Sequence, residues 1–145
     1  MQRAMWFRVT VGGALVSLSA CASPTSPNSV RVVGILDGGD PDAEVLESPD
    51  SARVGIPLVV RVTTYGSGSC TRADGADVTQ FAAQADITPR DRELRDRACT
   101  RDLRPSTRNV TVRFTVAGRA LIRVRGRRND GTDAIVVRER FVTVR

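Results

Sequence analysis

In the last third of the chain, side chains of opposite character alternate one by one. Val110, Val112, Phe114 and Val116 are interleaved with Thr111, Arg113 and Thr115, and Ala120, Ile122 and Val124 with Leu121, Arg123 and Arg125. A strand sends successive side chains to opposite faces, whereas a helix repeats every three to four residues. This alternation therefore confines the region to half-buried strands. Leu58, Val60 and Val62 against Val59, Arg61 and Thr63 repeat the pattern within 56–65. Val30 to Leu36 is an apolar run, 43–48 a shorter strand, and 77–88 one or two strands around Phe81 and Ile87. In the final strand, 134–145, Ile135 and Val137 share one parity and Val142 and Val144 the other, so a β-bulge is expected near Arg138–Arg140. Gly, Asp, Asn and Pro at 37–41, 49–50, 66–69 and 129–133 mark the turns between them. The segment 89–105 is dense in alternating charge, poor in apolar residues and reads as a long connection pinned by Cys99, the best place for a special surface.

Seven or eight short strands separated by turn signals give an all-β class and an antiparallel sandwich. The block 56–65, with VTVRFTVAG and ALIRVRG downstream, resembles the Ig-like domains of bacterial surface and envelope proteins. That resemblance implies an Ig-like or fibronectin-III-like antiparallel β-sandwich over 30–145. The domain departs from the antibody type: the only Trp is Trp6, outside it, and Cys99 falls in a loop-like segment.

The first twenty residues have a different character. Arg3 and Arg8 precede an apolar stretch from Val9 to Leu18, about half of the roughly 20 residues that span a bilayer. Leu18-Ser19-Ala20-Cys21 follows. A charged start, a short apolar stretch and small residues before a cleavage point form an export signal. The four residues resemble the lipobox of bacterial lipoproteins, which implies cleavage before Cys21 and acylation of its thiol. On this reading 1–20 is a signal peptide and 21–29 a lipidated Cys with a Ser/Pro linker. One acyl chain anchors marginally and two or three hold firmly, at about 0.8 kcal/mol per buried CH₂. The linker reaches roughly 25 Å at about 3.1 Å per residue, so the domain would sit close to its membrane. Ala22 stands where Asp marks inner-membrane retention in the proteobacterial scheme, which implies the outer membrane.

An exported chain carries its thiols into an oxidising compartment, where Cys70 and Cys99 are expected to pair. All 22 basic residues are Arg, and they are unevenly spread. Residues 101–145 hold 12 Arg against 4 acids, whereas 21–100 hold 8 Arg against 12 acids. Arg119, Arg123 and Arg125 share one parity of one strand, and pairing with the last strand would bring Arg138 or Arg140 alongside. Guanidinium forks bind phosphate and carboxylate in pairs of hydrogen bonds. This face is the candidate site for anionic envelope material. Envelope proteins are the alternative partners.

Other chemistries find less support. With no His, Ser-His and Cys-His nucleophile pairs are excluded, and Gly66-Ser67-Gly68-Ser69-Cys70 does not fit the G-x-S-x-G elbow. The chain reads as non-catalytic and without cofactor. Asp37, Asp40 and Asp42 in the loop 37–44 are weak cation ligands whose spacing departs from the EF-hand, leaving an ion- or ligand-binding accessory protein as the alternative function. Nucleic acid is not expected as a partner, since stacking needs aromatic residues and only 4% of the chain is aromatic.

Overall fold

The computed structural model describes residues 28–38 and 43–145. The expected signal peptide over 1–20, Cys21, most of the expected linker, Asp40 and Asp42 lie outside the described residues. What is described is all-β. Its strands are β1 (Ser29–Val33), β2 (Ile35–Asp37), β3 (Leu46–Glu47), β4 (Ser51–Ala52), β5 (Leu58–Gly66), β6 (Thr71–Gln80), β7 (Gln84–Leu94), β8 (Arg104–Val112), β9 (Gly118–Arg128) and β10 (Ile135–Val144). They form one ten-stranded mixed sheet, not seven or eight antiparallel strands. Three pairings are parallel: β7 with β9, β2 with β9 and β4 with β10.

Two long arms make up the sheet. In one, β5 pairs with β8 along its whole length, Leu58 opposite Val112 and Gly66 opposite Arg104. In the other, β6, β7, β9 and β10 lie side by side. The joint is β2, where Ile35 pairs with both Tyr65 of β5 and Arg127 of β9. Alternating residues of the two arms bury themselves in a single core: Val60, Val62 and Val112 from one, Ile87, Ile122, Val124 and Val142 from the other. The alternation that defined the strands is thus spent on one shared interior.

Gly34 lets the first apolar run divide between two partners. Its N–H donates to Pro89 at 2.9 Å and its carbonyl accepts from Arg127 at 2.9 Å. A Cβ here would lie 2.6 Å from Thr64 Cγ2, so only glycine fits. Before it the chain pairs with β7; after it, with β9 and β5.

The charged segment 89–105 is strand at both of its ends. β7 continues to Leu94 and β8 starts at Arg104, leaving 95–103 as the connection. Charge hid the alternation there, because Asp91 points inward and is buried by ion pairing. Pro89 is accommodated opposite a register shift in β6 between Ala73 and Ala76, where Gly75 has φ +76°. Cys70 and Cys99 form a disulfide with Cα atoms 5.6 Å apart, tying the start of β6 to this connection.

The last strand has no bulge. β10 pairs with β9 without interruption from Ile135–Arg127 to Val144–Gly118. Val136, Val142 and Val144 are buried with one parity throughout, and Ile135, Val137 and Phe141 face outward. Arg138 and Arg140 share the parity of these valines; Arg138 is exposed and Arg140 is half-buried.

Candidate functional site

The outer face of β9 and β10 follows directly from this register. On β9 it presents Arg119, Leu121, Arg123, Arg125 and Arg127; on β10, Ile135, Val137, Glu139 and Phe141. Val137 lies opposite Arg125, Glu139 opposite Arg123 and Phe141 opposite Leu121. Cross-strand neighbours of this kind touch. The Arg119 guanidinium sits 3.6 Å over the Phe141 ring, where the negative face of the ring attracts it. Arg123 is held on both sides, with Nε donating to Glu139 at 3.0 Å and Nη1 lying 3.7 Å from Asp86 of β7. Arg127 is shared between Glu93 and Asp133. Arg119 and Arg125 carry no ion pair among the described residues.

The five arginines of the expected face are therefore not brought together. Arg119, Arg123 and Arg125 share it, and Arg123 is already neutralised there. Arg138 and Arg140 belong to the opposite face, and Arg140 bridges Glu44 at 3.3 Å and Asp50 at 3.0 Å. In their place the register supplies Ile135, Val137 and Phe141, all exposed apolar side chains. They were legible from the even parity of Val136, Val142 and Val144; expecting a bulge concealed it.

Behind this face the two arms are clamped by a buried ion pair. Arg108 of β8 and Asp91 of β7 meet at 2.5 Å, with side chains 7% and 3% exposed. Arg108 also donates to the Thr64 hydroxyl, the Arg90 carbonyl and, at 2.9 Å, the Gly75 carbonyl. Thr64 in turn donates to Asp91 at 3.2 Å. The β6 irregularity thus places the Gly75 carbonyl on the cation. Beside the pair opens a cleft of about 390 Å³, flanked by Ser69, Thr71, Arg72, Arg104 and Ser106, with Asp91 in its wall.

Asp37, the described member of the loop 37–44 trio, lies 3.7 Å from Arg128, so its charge is already engaged. Among the described residues no three His, Cys, Asp or Glu side chains are grouped to hold a metal ion. Nor is any helix among them long and apolar enough to cross a membrane.

Compared with known proteins, the chain matches no family model, no curated protein and no solved structure.

Proposed function

We propose that this chain is a lipid-anchored, non-catalytic binding module of the cell envelope, with an Ig-like β-sandwich as its folded part. Cys21 carries the lipid, the outer membrane is its site, and the folded domain stands outside the cytoplasm. The module engages anionic envelope material through the outer face of β9 and β10. One observation carries this reading: Arg119 and Arg125, which have no ion pair among the described residues, share that face with exposed Ile135, Val137 and Phe141. Arginine and exposed apolar surface in one patch are the composition of a recognition surface.

The test compares the wild-type chain with an Arg119→Ala/Arg125→Ala variant on isolated sacculi. Each Arg near an anionic surface contributes about 1 kcal/mol, so the variant should bind roughly thirtyfold more weakly and lose its salt dependence. Equal binding by the two proteins rules out this face. Labelling of cells with radioactive palmitate tests the anchor: incorporation should vanish in Cys21→Ser.

A further inference from the structure

A second surface lies at the end of the domain where β5, β9 and β7 begin. Three connections and the end of β10 meet there. The Val54 N–H donates to the Arg145 carbonyl at 2.9 Å, the Gly55 N–H to Phe114 at 2.8 Å and the Thr115 N–H to Ala82 at 3.0 Å. These bonds fix the loops 53–57, 81–83 and 113–117 to one another, so their tips are held without further ordering. The tips carry Ile56, 55% exposed, Phe81, 58% exposed, and the exposed Val54 and Val116. No Asp or Glu occurs in 51–58, 81–84, 112–121 or 141–145, whereas Arg53, Arg113, Arg119 and Arg145 do. Their side chains have no carboxylate partner among the described residues. Between Arg53 and Arg145 opens a cleft of about 440 Å³ with Ile56, Pro57 and Leu58 in its walls.

We propose that this end docks on a bilayer containing anionic phospholipid. The cleft suits a phospholipid: two arginines line it, the residue type that pairs with phosphate, beside apolar side chains for the chain beneath the headgroup. Around it exposed apolar side chains top three loops, suited to insertion among headgroups, and the side-chain charge of these loops is of one sign. The inference is independent of the β9–β10 face, which lies on the side of the domain.

The experiment uses the mature chain, residues 21–145 with Cys21→Ser, so that neither leader nor acyl group contributes, on vesicles of phosphatidylcholine alone or with about one-third phosphatidylglycerol. Sedimentation should show at least tenfold tighter binding to the anionic vesicles. Arg53→Ala/Arg145→Ala and, separately, Ile56→Asp/Phe81→Asp should each weaken it at least tenfold, with thermal midpoints unchanged because all four side chains are exposed. Arg125→Ala, farther along β9 from this end, should bind these vesicles like the parent, which separates the two surfaces. Inorganic phosphate at millimolar concentration should not displace the vesicles; displacement would identify a free-phosphate site and overturn the proposal. Equal binding to neutral and anionic vesicles, or full binding by both loop-end variants, would overturn it as well.

Discussion

Removing one partner of the Arg108–Asp91 pair should be far more damaging than removing both. The guanidinium makes four contacts: Asp91, Thr64 and the carbonyls of Gly75 and Arg90. Asp91→Leu leaves a buried cation facing only neutral oxygens. Arg108→Met leaves a buried carboxylate with one hydroxyl and strips two carbonyls of their donor. Breaking a buried pair in this way costs about 3–5 kcal/mol, whereas exchanging the whole pair for apolar side chains is often close to neutral. For a domain of this size each kcal/mol lowers the melting temperature by about 4 °C, so each single variant should melt roughly 12–20 °C below the parent. The double variant Asp91→Leu/Arg108→Met should melt nearer the parent than either single. Calorimetry on the four proteins gives the coupling energy directly, and it should reach several kcal/mol. Additive effects, or a single variant costing under about 1 kcal/mol, would show that water from the neighbouring cleft already screens the pair and that the clamp is not dry.

Reducing the Cys70–Cys99 bond, or replacing both residues with Ala, should lower the unfolding free energy by about 3–4 kcal/mol in a urea titration, as expected for closing a loop of 29 residues. Gly126→Ala should cost about 1–3 kcal/mol by thermal melting, because its new methyl would lie 2.3 Å from Leu36 Cγ and 2.7 Å from the Gly34 carbonyl. Asp77, Asp102 and Asp130 are held below the ordinary carboxylate value of 3.8, first by hydrogen bonds from Arg90, the Thr100 hydroxyl and the Thr132 hydroxyl respectively. Their contribution to stability is complete above 3.8 and is lost as pH falls through the lower folded values. The urea midpoint should accordingly hold steady down to about pH 5 and drop below the ordinary value; a rise on acidification would contradict the sign.

The strands with clean alternation, β5 and β9, were readable because each buries one apolar side chain in two. β7 was not, since its inward positions include Pro89 and Asp91, and nothing local announces that Asp91 will meet Arg108 across the interior. The parallel pairing of β7 with β9 was equally hidden: alternation tells which side chains share a face, not which strand lies beside it. Phe81 was expected within a strand and instead tops the turn between β6 and β7. The disulfide was legible because only two cysteines remain in the folded part. Of the arginine face, parity placed Arg119, Arg123 and Arg125 correctly, but only the acids of neighbouring strands, Asp86 and Glu139, decide that Arg123 is already engaged.

The chain enters the described domain at Asn28 beside Arg95 and Asp96, past the far end of β7 from the loops at 53–57 and 81–83. Those two ends are separated by the length of β7, roughly 33 Å at about 3.3 Å per residue. A load applied between them runs parallel to the strands. The hydrogen bonds joining β1 to β7 and β10 to β9 lie across that line. Each ladder would therefore be sheared with all its bonds strained at once, not unzipped one after another. A body loaded this way resists tension, so a domain held at Asn28 and gripped at its loops would transmit force between its two attachments.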